Sequence, residues 1–303
     1  MRPSPVYVAL ILVQVFFATL PIAVKIALRD LSSPALALLR VTGAAVLFLA
    51  IHFATGGQRV RSRADYLRLS LYSVFGVILN QLLYITALTM TTATAAQTLV
   101  TAGPALTLLV AILLRHESAT PAKWLGIALA GCGALLLVGV GLHQGSVLGN
   151  LLALGNVTAY SVYLVLSRGI LGRYNALTVI TWVFVFGVVG IFPWGIAPAM
   201  REVGGMGAAT WAALAWIVAV PTVAAYYLNV WALARAEASL VAMFVYIQPV
   251  MTASLAIPFL GERPSPRMIP ATLLIFAGVW VSIRAGRAAK ARDGRVSAAG
   301  QEG

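Results

Sequence analysis

Residues 83–121 read LYITALTMTTATAAQTLVTAGPALTLLVAILLRHESATP, and residues 228–266 read LNVWALARAEASLVAMFVYIQPVMTASLAIPFLGERPSP. Set against each other at an offset of 145, they share Leu83 with Leu228, Ala87 with Ala232, Leu88 with Leu233, Pro104 with Pro249, Glu117 with Glu262, and Pro121 with Pro266. Each copy carries a proline inside an apolar run, a glutamate 13 residues later, and a small hydroxyl residue before a second proline (Thr120-Pro121, Ser265-Pro266). Such a hydroxyl accepts from the free N–H groups of a helix start, and a proline in the first turn removes no donor the helix needs. A repeat of this kind in a largely apolar chain points to two related halves of a transporter.

The rest of the chain is of the same character. It has 303 residues, 61% hydrophobic and 10% charged, and a mean hydropathy of +0.93. A spanning helix needs ~20 apolar residues. Ten stretches qualify as candidates: 6–28, 34–54, 67–88, 93–114, 122–142, 147–168, 175–197, 208–231, 238–260 and 267–285. The expectation is an all-α membrane protein of ten transmembrane helices with short connections. The first stretch is too long for a removable signal peptide and lacks a small-residue cleavage site.

The net charge of +13 invites a nucleic-acid reading, but its distribution opposes one. With ten alternating spans and a cytoplasmic amino terminus, 15 of the 21 Lys and Arg fall on the cytoplasmic side. That is the positive-inside bias, and it puts both termini in the cytoplasm. The basic tail beginning at Arg284 then lies near anionic headgroups of the lipid bilayer. No nucleic-acid partner is expected, and the sequence leaves the oligomeric state open.

An offset of 145 matches about five helices, an odd number. The second copy therefore enters the membrane from the opposite side, as an inverted-topology repeat around a central cavity. The expected boundaries are 1–143 for the first five-helix repeat, 144–286 for the second, and 287–303 for the basic cytoplasmic tail. Spans 3, 4 and 5 match spans 8, 9 and 10, whereas spans 2 and 7 share almost no identity.

Pro104 and Pro249 are expected in mid-helix, each freeing the carbonyl four residues back and making a static kink or a hinge. Gln97, Thr101 and Pro104 fall on one helical stripe of span 4; Tyr246 and Pro249 lie on the equivalent stripe of span 9. Further polar candidates are Gln14 on span 1, Asn80 and Tyr84 on span 3, Asn156, Tyr160 and Tyr163 on span 6, and Tyr226 and Tyr227 on span 8. Such side chains either hold helices together or line a substrate cavity. An amide and aromatic lining suits an amphipathic organic solute better than an inorganic ion.

Lys25 and Arg40 are the notable charges, each a turn or two inside the expected outer end of its span, 1 and 2 respectively. Each either meets a substrate carboxylate or snorkels to the surface. All eight Asp and Glu fall at helix ends or in loops, so no membrane-centre carboxylate is available as a proton or sodium site. Cys132 is the only cysteine, which excludes an intrachain disulfide and a cysteine metal cluster. There is no H-E-x-x-H, no Walker lysine motif and no buried aspartate pair. The chain reads as a non-enzyme with no cofactor and no metal.

Two five-helix halves, each with an Ala-Leu pair, then Pro104 or Pro249, then Glu117 or Glu262, resemble the EamA-type members of the drug/metabolite transporter superfamily. Within it the chain is most similar to YddG-type bacterial exporters of aromatic and other amino acids. The resemblance covers all ten spans and is strongest over 83–133 and 228–278. It implies a cavity lined by spans 1, 3, 4, 6, 8 and 9, a bacterial inner-membrane location, and export of amino acid substrate by alternating access. The alternatives are a drug or nucleobase exporter and a channel-like facilitator. Relatives that exchange drugs for protons carry a glutamate in the first helix, where this chain has Gln14.

Overall fold

The computed structural model describes residues 5–144, 146–233, 244–263, 265–266 and 268–299, and every regular element among them is helical. In lipid, each backbone N–H and C=O must be satisfied within its own segment, so long apolar runs become helices. They are α1 (Pro5–Ala27), α2 (Ser33–Ala54) and α3 (Arg63–Met90); then α4 (Ala93–Val100), α5 (Gly103–Leu113), α6 (Pro121–Gln144) and α7 (Val147–Leu171). They continue with α8 (Ala176–Glu202), α9 (Ala208–Asn229), α10 (Gln248–Leu260) and α11 (Met268–Ala299). Among the described residues, six helices are long and apolar enough to cross a bilayer, or seven when α4 and α5 count as one bent span. Pro121–Leu137, Val245–Leu260 and Met268–Arg284 are shorter apolar helices. Phe53, Leu67 and Met200 are each more than 70% exposed, which suits side chains facing lipid.

The expected mid-helix position of Pro104 is corrected. The chain bends by 43° between α4 and α5, and Pro104 sits in the first turn of α5. The N–H groups of Thr101 and Ala102 bond back three residues, to Thr98 and Leu99. The Thr101 hydroxyl also donates to the Thr98 carbonyl at 2.6 Å. Pro249 likewise lies in the first turn of α10, after a tight 3-10 turn at Val245–Ile247. In a first turn, proline interrupts no helix bond.

Both α3 and α9 contain a π-helical segment, at Val74–Leu79 and Val218–Ala224. Gly76 lies in one and Pro221 in the other, so the unmatched proline does not make the two segments differ in helix type. Past α5 and α10 the backbone turns left-handed, at Arg115 (φ 58°) and Gly261 (φ 65°). Glu117 N–H then donates to the Ala111 carbonyl, and Glu262 N–H to that of Ala256, each at 3.2 Å.

The helices pair closely: α2 packs on α8, and α6 on α11. α1 packs on α9 and α10, while α7 packs on α3, α4 and α5. Carboxylates lock the connections. Glu202 accepts from the Ser32 N–H and hydroxyl ahead of α2. Asp30 accepts from Gly207 N–H and the Thr210 hydroxyl at the start of α9. Those two donors, the hydroxyl foremost, hold the exposed Asp30 carboxyl below its ordinary pKa.

Candidate functional site

An apolar bundle concentrates attention on its buried polar groups, because each must find a partner there. One such chain joins three helices. Gln97 of α4 donates through Nε2 to Oε1 of Gln248 on α10, and Gln248 donates in turn to Oε1 of Gln14 on α1. All three are at most 4% exposed. Nearby, the Thr252 hydroxyl donates to the Ala18 carbonyl at 3.2 Å, a second tie between α10 and α1. This polar seam stands beside the break between α4 and α5 and the start of α10.

On the α3–α7 side, Asn156 Nδ2 donates to the Asn80 carbonyl at 2.8 Å, and Gln81 Nε2 to the Asn80 side chain at 3.4 Å. Tyr84 is 6% exposed, and its hydroxyl has no partner. The Tyr246 hydroxyl is also buried without a partner, with its ring against Phe276 at 4.6 Å. Tyr160 and Tyr163 are ring neighbours at 5.7 Å. Tyr160 and Tyr227 are exposed, and so stand apart from the enclosed amides. The Tyr226 side chain and all of Glu237 lie outside the described residues.

The two cations within spans have different surroundings. Lys25 Nζ is 3.8 Å from Glu262 Oε1. Glu262 also accepts from the N–H groups of Ala93 (2.6 Å) and Thr94 (3.2 Å) and from the Thr94 hydroxyl (3.0 Å). One carboxylate thus ties the end of α10 to the start of α4 and the end of α1. A helix N-terminus with free N–H groups favours a negative charge there. Its counterpart Glu117 pairs with Lys123 at 3.2 Å and Arg168 at 3.6 Å. Arg40 is 6% exposed and pairs with no described carboxylate.

Gln248 and Glu262 were not among the site residues that the sequence singled out. Gln248 has no polar counterpart, since the offset of 145 leads to Gly103. Its place just before Pro249 was the one available signal. Glu262 was visible as a repeated residue, but nothing in its spacing revealed the α4 N-terminus as its partner.

The family model for the EamA-like transporter family matches the chain twice, over residues 4–139 and 147–284. The chain belongs to that family: it is a multi-pass membrane transporter and not an enzyme. It is 28% identical to an uncharacterized transporter of Archaeoglobus fulgidus, over 92% of this chain and 97% of that one. It is 27% identical to a probable terminal-alkyne amino-acid exporter of Streptantibioticus cattleyicolor, over 92% and 93% respectively. A crystal structure covering 93% of this chain and 97% of its own aligns with a TM-score of 0.61 at 20% identity, which shows a shared fold alone.

Proposed function

We propose that the protein exports amino acids, aromatic and other neutral ones, by alternating access through a cavity between two inverted five-helix repeats. In this reading α4 and α5 together form the fourth of ten spans. The repeats are 1–143 and 144–286, the tail is 287–303, and both termini face the cytoplasm of a bacterium through its inner membrane. The carrying observation is the Gln14–Gln248–Gln97 chain, which joins helices of both copies where α4 breaks and α10 begins. Broken helices meeting polar groups inside a bundle are where transporters of related halves bind their solutes.

The packing supports the inverted arrangement. α1 lies on α9 and α10 as α7 lies on α3, α4 and α5: the first helix of each half crosses the third and fourth of the other. Matched π segments and helix ends add to it. In this reading α5 and α10, each with a proline in its first turn, are the levers, with Pro104 and Pro249 as their hinges. The amino acid assignment draws on the Streptantibioticus relative and on the amides and tyrosines gathered in the bundle.

Counterflow in proteoliposomes tests the substrate. Labelled phenylalanine should exchange without an imposed pH gradient or membrane potential, because the five carboxylates whose side chains are described lie at helix ends with partners of their own. Excess tyrosine or tryptophan should compete. If no amino acid competes while a drug or nucleobase does, the substrate class is wrong. Uptake that never saturates would instead describe a channel. Topology has its own measurement. Ser118→Cys and Arg263→Cys, one repeat offset apart and both exposed, are compared in a Cys132→Ala background. They should react with an impermeant maleimide from opposite faces of the membrane; reaction from one face excludes inversion.

A further inference from the structure

Arg40 is the one deeply buried cation of the described bundle whose charge no carboxylate answers. Its residue is 6% exposed, and Nε has no hydrogen-bond partner. Nη2 reaches only the Thr222 hydroxyl, at 3.5 Å, the outer limit of a hydrogen bond. That hydroxyl gives its own proton to the Ile217 carbonyl at 2.7 Å and accepts from Nη2 with a lone pair, so it supplies a neutral oxygen and no countercharge. The five carboxylates whose side chains are described are engaged elsewhere: Asp30 with Gly207, Asp65 with Arg173, Glu117 with Lys123, Glu202 with Ser32, and Glu262 with Lys25 and α4.

A second polar group waits beside it. Tyr84 of α3 lies within electrostatic reach of Arg40, and its buried hydroxyl has no partner. One turn earlier on α3, the buried Gln81 Oε1 is also without a donor. Helix α2 packs against both the second half of α3 and the π segment of α9, so Arg40, Tyr84 and Thr222 come from three helices. A guanidinium inside a membrane bundle usually pairs with an opposite charge. Its planar fork of donors matches a carboxylate, and a phenol adds a third donor to the same oxygen pair.

We propose that Arg40 and Tyr84 form the site that receives the carboxylate of the transported solute, with Thr222 holding the guanidinium in its absence. This rests on the reading of the protein as a carrier of amino acids, and it names the group that distinguishes them from amines and esters. Lys25, the cation singled out on span 1, is already paired with Glu262.

Binding to the purified full chain in nanodiscs tests it, with L-phenylalanine, its methyl ester and phenylacetate as probes. Wild type should prefer phenylalanine to the ester by roughly 10- to 100-fold, the range for hydrogen bonds to a charged group. In R40Q that preference should collapse to about unity while the ester binds as before. Tyr84→Phe, which removes a hydroxyl that has no partner in the fold, should narrow the preference several-fold. A folded R40Q that keeps the wild-type preference overturns the proposal. Where R40Q does not fold, an unchanged preference in Tyr84→Phe overturns it instead. Should no amino acid bind wild type, the amino acid reading fails on its own. The site then stands if phenylacetate binds and R40Q abolishes that binding, and falls if only carboxylate-free solutes bind.

Discussion

Gly278→Val is expected to deplete the folded protein severely. A Cβ at position 278 would lie 2.3 Å from the Ala130 backbone nitrogen and 2.5 Å from the Gly126 carbonyl oxygen. The facing glycines are as tight: a Cβ on Gly126 would be 2.6 Å from the Gly278 oxygen, and one on Gly133 would be 2.6 Å from that of Ala271. Helices α6 and α11 therefore meet backbone to backbone, where no rotamer change can make room. In a membrane this close approach is the main source of helix–helix attraction, since lipid tails are as apolar as the side chains. Forcing the pair apart should cost about 3 kcal/mol or more, against a gain of only about 0.3 kcal/mol from replacing glycine by β-branched valine inside a helix. The measure is the fraction of detergent-solubilised protein that stays monodisperse on heating. Gly131→Ala on α6 is the control, because a Cβ there meets nothing within 4 Å. It should hold or slightly raise stability. Equal loss in both variants would mean that glycine content, and not the α6–α11 contact, matters.

The small residues of that contact on the fifth expected span, Gly126, Ala130 and Gly133, follow one another at spacings of four and three, which places them on one helix face, while nothing in the sequence marks their partner helix. The same division runs through the fold. Apolar runs gave the helices, because lipid leaves the backbone no other way to satisfy itself. The repeat at an offset of 145 also marked helix ends, which the matched turns at Glu117 and Glu262 share. Two local features escaped. The break lies at Thr101–Ala102, ahead of Pro104, because the Thr101 side chain and two three-residue backbone bonds close the turn first. The π segments leave no mark in composition; one holds a glycine and the other a proline at the matched place. For the candidate site, Gln14, Gln97, Asn156 and Arg40 were legible as polar residues in apolar runs. Their partners were not, because Gln97 meets Gln248 across the repeats and not at the repeat spacing. Nor does a helix that is apolar all round reveal which way a tyrosine faces; Tyr84 is enclosed and Tyr227 exposed.

Glu262→Gln should unfasten one end of the bundle. The Glu262 side chain is 8% exposed and carries three hydrogen bonds to the start of α4, together with Lys25. Hydrogen bonds to a charged acceptor contribute about 1.5–3 kcal/mol each, and glutamine keeps one acceptor while turning an NH₂ towards N–H donors. A net loss of about 2 kcal/mol would favour separation of α10 from α4 by about 30-fold. Thr98→Cys, one turn into α4 from Thr94 and 1% exposed in the wild type, reports it in a Cys132→Ala background. Its reaction with an impermeant maleimide should quicken by about that factor on adding Glu262→Gln, and counterflow should slow because the end no longer closes. Lys25→Met should act in the same direction but weakly, since the 3.8 Å pair is partly solvated and such pairs contribute under about 1 kcal/mol. If Glu262→Gln lowers thermal stability while the cysteine stays as protected as before, the carboxylate is a fixed cap of α4. The proposed alternating access would then turn on the other glutamate of the repeat, Glu117, where Arg168 and Lys123 make the corresponding pairs.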